Sequence, residues 1–241
     1  MVFIPVSGTS SGQCRTYDSE YKRIADKPVK INRMNKPDPD TVQIESLTLD
    51  YYNRNSMSFW EGTLDHDVSQ NYDRFLSSFP KGKELDILDF GCGPGRDLFY
   101  FRSLGHRTTG LDGSEEFCRM ARQYSGCDVL QQNFLGLTLP AASFDGVFAN
   151  ASLFHVPGRE LSKVLTQIRI TLRPNGILFM SNPRGEGEGW NGQRYGHYME
   201  YDVSEQFLIK AGFRILDHYY RPEGKPRHQQ PWLAIVSERI E

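Results

Sequence analysis

The sequence predicts an α/β fold in which helices flank a mostly parallel sheet. Residues 85–89 form a short apolar run that ends in an acid, and Gly91, Gly93 and Gly95 follow at alternate positions. A buried parallel strand shows this pattern when it enters a tight turn that opens a helix. Further strand-like runs lie at 106–112, 127–134 and 144–156. Strands that alternate with helical patterns favour a parallel sheet.

The composition is that of an ordinary soluble globular domain. The chain has 241 residues, a formal net charge of −2 and 24% charged residues. This balance leaves no basic excess to hold nucleic acid or an anionic membrane. The four cysteines form no C-x-x-C pair and no zinc spacing, which predicts a cytoplasmic protein with reduced thiols and no metal site. No apolar run approaches the ~20 residues of a membrane span, and residues 1–6 are too short for a secretory signal.

Residues 1–45 are expected to form a poorly ordered tail, and residues 46–241 the folded domain. Segment 7–12 is linker-like, and the prolines within 35–40 disfavour a helix there. Six basic residues between these segments form a mildly basic patch. A solvated tail is favoured for this patch over contact with an acidic partner.

Aromatic residues crowd residues 46–80, ahead of the first predicted strand. Segment 68–79 carries apolar residues at helical spacing, which predicts a helix. We expect Phe59 and Phe75 to belong to the core. For four other residues, core packing and a place beside a ligand both remain open, because polar-tipped aromatics often lie at ligand edges. These four are Tyr51, Tyr52, Trp60 and Thr63.

The glycine loop predicts a site for a nucleotide-type ligand. Glycine lets the backbone bend sharply and lie against a ligand, and the next helix directs its N–H groups and positive dipole end toward the crevice. The dinucleotide fingerprint G-x-G-x-x-G is not matched, because Arg96 occupies its third glycine position. The second strand ends in Asp112, about 20 residues after Gly91, where a carboxylate can accept ribose hydroxyl groups.

Four motifs together resemble those of class I S-adenosylmethionine-dependent methyltransferases. They are the loop at 89–95, Asp112, "Leu-Phe-His-Val" at 153–156 and the turn Arg-Pro-Asn-Gly at 173–176. The likeness covers residues 48–240. It implies a Rossmann-like seven-stranded sheet of order 3-2-1-4-5-7-6, with an antiparallel last hairpin. It also implies that helices within 46–80 fold over the cofactor as a lid.

The resemblance implies S-adenosylmethionine as the cofactor. The strand-end acid, the glycines and Arg96 would hold its amino-acid end, and Asp112 its ribose. Asn133 and Phe134 would contact the adenine. Family members usually have Asp at the position of Asn133. An amide oxygen can still accept an N–H there. For Phe134, packing in the core is an equally open interpretation. The implied cofactor-binding residues are Asp89, Gly91, Cys92, Gly93, Arg96, Asp112, Gly113, Asn133, Phe134, Asn150, Thr63 and Trp60.

His155 and residues 182–200 are the candidates for acceptor chemistry. His155 follows the fourth strand and is interpreted as a base, an acceptor-orienting group or a packed supporting residue. The glycine-rich segment 182–200 suits substrate binding better than simple connection. Its arginines would clamp an acceptor carboxylate, or else satisfy the loop's own carbonyls and glutamates. The substrate candidates are Tyr51, Tyr52, Arg184, Trp190, Arg194, Tyr195 and His197.

The expected activity is methyl transfer to a small polar metabolite, for which a carboxylate is the working hypothesis. Three other classes stay open at this point: methylation of a protein or RNA, a non-catalytic cofactor-binding partner subunit, and a dinucleotide oxidoreductase. The near-neutral charge argues against nucleic acid. The mismatch at Arg96 argues against the oxidoreductase.

Overall fold

A seven-stranded sheet forms the centre of the computed structural model, which describes residues 39–240. The helices are α1 (Pro39–Arg54), α2 (Ser56–Thr63), α3 (Ser69–Leu76), α4 (Arg96–Ser103), α5 (Glu115–Ser125), α6 (Gly158–Thr171) and α7 (Tyr201–Lys210). The strands are β1 (Asp86–Phe90), β2 (Arg107–Asp112), β3 (Asp128–Gln131), β4 (Phe144–Asn150), β5 (Leu172–Pro183), β6 (Gly187–Asn191), β7 (Arg194–Tyr198), β8 (Phe213–Arg221) and β9 (Trp232–Arg239). Within this part of the chain, no helix is long and apolar enough to cross a bilayer.

The strands of the main sheet follow the order β3-β2-β1-β4-β5-β9-β8. The first five are parallel, and β9 runs antiparallel to both of its neighbours. The predicted fold class is therefore confirmed, because the sixth and seventh predicted strands are β8 and β9. Parallel order places the ends of β1, β2, β3 and β4 at one edge, which is where ligands bind in open α/β sheets.

One side of the sheet carries an aromatic core. Phe148 on β4 stacks on Phe179 on β5, with ring centroids 4.7 Å apart and planes 12° apart. Phe75 on α3 and Phe101 on α4 pack edge-on or tilted against this pair. All four rings are fully buried. The expectation that Phe75 is a core residue is confirmed.

The first described helix begins earlier than the sequence indicated. α1 starts at Pro39, whereas residues up to 45 were expected to be poorly ordered. Proline is well tolerated at the first helical position, because the N–H that it lacks has no partner inside the helix. Within residues 39–240, three helices, α1, α2 and α3, precede β1. The remainder of the predicted tail, residues 1–38, lies outside the described residues.

The segment 182–200 is a hairpin rather than an open loop. β6 and β7 pair antiparallel, with Asn191 opposite Arg194. Gly192 takes a φ of +62°, and glycine at the first position of a two-residue turn is typical of tight hairpins. The glycine richness of the segment suggested a loop, but the alternation around Gly192 was the signal for paired strands.

We predict that Phe148→Ala lowers the free energy of unfolding by about 3–5 kcal/mol, because it leaves a cavity under a stacked ring. The measurement is urea denaturation of the full chain. Phe99→Ala is the matched control, since Phe99 is 47% exposed, and its loss should cost about 1 kcal/mol or less. Equal effects of the two changes would contradict the assignment of the core.

Candidate active site

A cavity of about 580 Å³ lies at the carboxyl edge of the sheet, where α1 and α2 contribute to its wall. Its size is within the range of small-molecule and cofactor sites. Fourteen of the residues singled out from the sequence line it. They are Tyr52, Trp60, Thr63, Gly91, Cys92, Gly93, Arg96, Asp112, Gly113, Asn133, Phe134, Asn150, His155 and Arg194.

The N–H groups of the glycine loop are used within the protein. The amides of Gly91 and Cys92 both donate to the Leu111 carbonyl oxygen, at 2.7 and 3.0 Å, and the amide of Gly93 donates to Asp112 at 2.9 Å. Gly91 has a φ of +78°, and a Cβ there would lie 2.3 Å from the Ser152 Cβ. These amides are therefore not directed at a ligand, contrary to the general expectation for such loops. The amides of Gly91, Cys92 and Gly93 are therefore not available to bind a pyrophosphate.

Asp112 is buried at the end of β2. Its two carboxylate oxygens accept from the amides of Ser114 and Gly93, each at 2.9 Å. Burial raises the pKa of Asp112 to about 6, although these backbone hydrogen bonds oppose the shift. The carboxylate lines the cavity with a fixed orientation.

Asp89 lies behind the cavity and does not line it. Its side chain is almost fully buried, and its Oδ2 has no hydrogen-bond partner among the described residues. Burial, followed by the nearby charge of Asp97, raises the pKa of Asp89 well above its usual value. Asp97 itself lines the cavity. The sequence analysis missed Asp97, although its place in the first turn of the helix after the loop was an available signal.

Asp97 is held by three donors from three elements. The Tyr72 hydroxyl donates to its Oδ1 at 2.5 Å, Arg96 Nε donates to the same oxygen at 2.7 Å, and Asn150 Nδ2 donates to Oδ2 at 3.1 Å. The Asn150 oxygen in turn accepts from Asn71 Nδ2 at 3.0 Å. This network joins α3 and α4 to the end of β4.

Trp60 and Thr63 come from α2 and close the cavity near Arg96. The carbonyl oxygen of Thr63 accepts from the Arg96 guanidinium at 2.9 Å. The Trp60 ring packs edge-on against Tyr124, with centroids 4.8 Å apart. Arg96 also pairs with Asp97. It therefore links α2 to the start of α4, the helix that follows the glycine loop.

Asn133 and Phe134 follow β3 and meet a residue from α1. Phe134 stacks on Phe90, with ring centroids 4.4 Å apart. Glu45 accepts from the amide of Leu135 at 3.1 Å and also hydrogen bonds the side chain of Asn133. Burial raises the pKa of Glu45. The sequence analysis placed Glu45 in the tail, so it could not be connected with this part of the site.

His155 is held in one tautomer by its two ring contacts. Its Nδ1 lies 2.6 Å from the carbonyl oxygen of Tyr195, and its Nε2 lies 2.7 Å from the Tyr52 hydroxyl. A carbonyl oxygen only accepts, so Nδ1 carries the proton and Nε2 accepts from Tyr52. Burial lowers the pKa of His155 to about 4. The ring is therefore neutral at physiological pH.

Arg194 is the cation on the hairpin side of the cavity. Its guanidinium lies over the rings of Tyr51 and Tyr52, at 5.4 and 6.0 Å, and it hydrogen bonds the Tyr52 side chain. No carboxylate within residues 40–240 forms an ion pair with it. Arg194 thus presents an uncompensated positive charge beside the pair formed by Tyr52 and His155.

The other substrate candidates lie outside this cavity. Arg184 donates to both carboxylate oxygens of Glu200, at 3.0 and 3.1 Å, so its guanidinium is already paired. Trp190 is about half exposed on the hairpin, and the buried His197 packs against Phe207. Tyr51 lies beneath Arg194, and Tyr195 provides its carbonyl oxygen to His155. The site therefore includes one of the two predicted arginines.

The described residues contain no group of three or more histidine, cysteine, aspartate or glutamate side chains arranged to hold a metal ion. Asp97 and Asp112 instead accept hydrogen bonds from donors of the chain.

Residues 88–180 match the family model described as "Methyltransferase domain". Trans-aconitate 2-methyltransferase of Azoarcus sp. is 34% identical over 115 residues, which are 47% of this chain and 45% of the relative. Malonyl-[acyl-carrier protein] O-methyltransferase of Enterobacter lignolyticus is 30% identical over 107 residues, or 44% of this chain and 42% of the relative. The matched segment spans less than half the length of these relatives.

A solved structure shares the fold over most of the chain. It is the 1,6-didemethyltoxoflavin-N1-methyltransferase of Burkholderia thailandensis with bound 1,6-didemethyltoxoflavin and S-adenosylhomocysteine. The TM-score is 0.70 at 21% sequence identity, and the match covers 86% of this chain and 93% of that one. At this identity the likeness defines the fold.

We predict that His155 titrates near pH 4 and that at pH 7 its Nδ1 is protonated while its Nε2 is not. The measurement is nitrogen-detected NMR of the histidine rings across pH 3.5–8. The variant His155→Gln assigns the signal, because it removes one of the six histidine resonances. A midpoint at 6.5 or above would contradict the buried, neutral state.

Proposed function

We propose that the chain, whose residues 88–180 match a methyltransferase domain and whose main sheet has the order β3-β2-β1-β4-β5-β9-β8, is a class I S-adenosylmethionine-dependent methyltransferase that methylates a small polar acceptor through a carboxylate of that acceptor. The observation that carries the proposal is the arrangement of charge in the cavity. Asp97 and Asp112 line the loop side, and Arg194, which forms no ion pair with a described carboxylate, lies on the hairpin side.

The residues of the loop side fit S-adenosylmethionine. Asp97 and Asp112 line the loop side of the cavity beside Arg96, so two carboxyl groups there face a single arginine. Burial is the main cause of the raised pKa values of Asp89 and Asp112, and a ligand cation near these carboxyl groups would favour their ionised form. A ligand with an ammonium group and a sulfonium supplies positive charge, whereas the pyrophosphate of a dinucleotide adds negative charge. The internally bonded loop amides favour the same choice.

The roles follow from where each group lies. Asp112 would accept the ribose hydroxyls, and Asn133 and Phe134 would contact the adenine. Arg96, together with the Asp97 network, would hold the amino-acid end. When bound, S-adenosylmethionine supplies a methyl group on a positively charged sulfur, which keeps the carbon–sulfur electron pair when an acceptor oxygen takes the methyl.

The acceptor side suits a carboxylate. Arg194 can hold one carboxylate oxygen pair through its planar guanidinium. A carboxylate is already ionised at neutral pH, so its methylation requires no general base. This agrees with His155, which is neutral and already accepts from Tyr52. His155 would therefore orient the Tyr52 hydroxyl and not remove a proton from the acceptor. The names of the two relatives support this, since trans-aconitate and a malonyl group both carry carboxylates.

We predict that Asp112→Ala weakens binding of S-adenosylmethionine and S-adenosylhomocysteine by about 10–100-fold, because hydrogen bonds to a charged group are lost. Isothermal titration calorimetry of both compounds measures this. Asp128→Ala, at the exposed start of β3, is the control and should bind as the wild type does. Absence of binding of either compound to the wild type would refute the proposed function.

The same affinity should depend on pH. The ribose hydroxyls require an ionised Asp112, whose pKa is about 6 in the free protein. The dissociation constant should therefore rise as the pH falls below 6, by up to about tenfold per pH unit. In Asp112→Asn, affinity should be lower at pH 7.5, and the rise should become smaller. An unchanged pH profile in that variant would assign the dependence to another group.

We predict that Arg194→Ala raises the KM for a carboxylate acceptor, or its dissociation constant, by about 10–100-fold without changing affinity for S-adenosylhomocysteine. Trans-aconitate is the first probe, assayed for methyl transfer and by calorimetry. Arg184→Ala is the matched control, because Arg184 is paired with Glu200 outside the cavity. Its KM should stay within about twofold of the wild-type value. If the two variants behaved alike, the carboxylate would not bind at Arg194.

A further inference from the structure

A second, smaller cleft adjoins the cavity beneath the β6–β7 hairpin. It has a volume of about 220 Å³ and shares Phe154, Arg194 and Trp232 with the main cavity. Tyr195 and Tyr198 of β7 complete most of its wall. The shared residues make it a side chamber of the site already described.

The chamber combines aromatic walls with a single charge. The rings of Phe154 and Tyr198 are neighbours, with centroids 6.2 Å apart and planes tilted by 37°, and Trp232 lies at the start of β9. Among the described residues that line the chamber, Arg194 is the charged one, and it stands where the chamber meets the main cavity. Apolar surface next to one cation complements a molecule with an apolar body and an anionic end.

The chamber is separate from the residues proposed for the cofactor. Gly93, Asp112 and Asn133 line the main cavity but not the chamber. Its neighbours are instead the acceptor-side groups, because His155 hydrogen bonds the backbone of Tyr195. A molecule whose carboxylate reaches Arg194 would have its remaining atoms next to these aromatic walls.

The hairpin is fixed in place by contacts to two helices, α6 and α1, so the chamber is preformed. Glu188 of β6 accepts from the amide of Gly158 at the start of α6, at 2.7 Å. The amide of Tyr195 donates to the Thr48 hydroxyl on α1 at 3.2 Å. A preformed apolar chamber binds without the cost of ordering a loop.

We propose that this chamber binds the apolar, ring-bearing part of the acceptor, which makes the acceptor an aryl or arylalkyl carboxylic acid. The inference rests on the proposed function and specifies its substrate class. A volume of about 220 Å³ accommodates one ring or a short chain, and Arg194 holds the carboxylate at the junction. Short polycarboxylates would engage Arg194 but leave the aromatic walls uncovered.

The experiment compares matched acids with and without a phenyl group. The full chain is saturated with S-adenosylhomocysteine and titrated with 4-phenylbutyrate and butyrate, and with 3-phenylpropionate and propionate, in a calorimeter. We expect each phenyl acid to bind at least about tenfold more tightly than its partner, because the ring buries apolar surface. Equal affinities within either pair would overturn the inference.

Two variants locate the preference in the chamber. Trp232→Ala and Tyr198→Ala should each reduce the phenyl preference to about threefold or less, and Tyr198→Ala, at a residue that does not line the main cavity, should leave the affinities for butyrate and S-adenosylhomocysteine unchanged. A preference that survives both changes would place the ring elsewhere and overturn the inference. If S-adenosylhomocysteine does not bind to the wild type, the proposed function fails, and the phenyl preference is then measured on the protein alone. The two failures are therefore distinguishable.

Discussion

The shape of the site depends most on the three hydrogen bonds to the Asp97 carboxylate. The carboxylate accepts from Tyr72, Arg96 and Asn150, which belong to α3, α4 and the end of β4. A buried charge with three donors is well satisfied, but loss of any donor leaves it exposed to a large desolvation penalty. Helices that precede the sheet in the chain are thereby fixed to the sheet edge, and Arg96 extends the connection to α2 through Thr63.

The cavity is divided by charge. The loop side is lined by Asp97 and Asp112 beside Arg96, and the hairpin side carries Arg194 without an acidic partner among the described residues. In a low-dielectric cavity such opposed charges act strongly on a bound molecule. A cationic ligand on the loop side and an anionic ligand on the hairpin side would each be attracted to its own end of the cavity. Both molecules would therefore be oriented before any contact specific to the reaction forms. The proposed cofactor and acceptor have these charges.

Local sequence patterns predicted the sheet and its ligand edge, because parallel order places strand-terminal residues such as Asp112 and Asn150 together. The strand order was implied by the resemblance to class I methyltransferases, and the structure confirms it. Glu45 and Asp97 were missed because their contacts join elements that are far apart in the chain or carry no motif. Arg184 and Arg194 could not be distinguished from the sequence either. The difference between them is made by Glu200, which pairs with the first and does not reach the second.

The paired strands β6 and β7 have a consequence for how the acceptor side can change during evolution. Side chains alternate between the two faces of a strand, so Arg194 and Tyr198 share a face of β7 while His197 belongs to the other. Insertion or deletion of two residues within this hairpin preserves that assignment, whereas a single-residue change exchanges the faces. New substrate preferences can therefore arise through even-numbered length changes in one short segment. Such changes in the hairpin would require no change in the glycine loop or in the buried acids beside it.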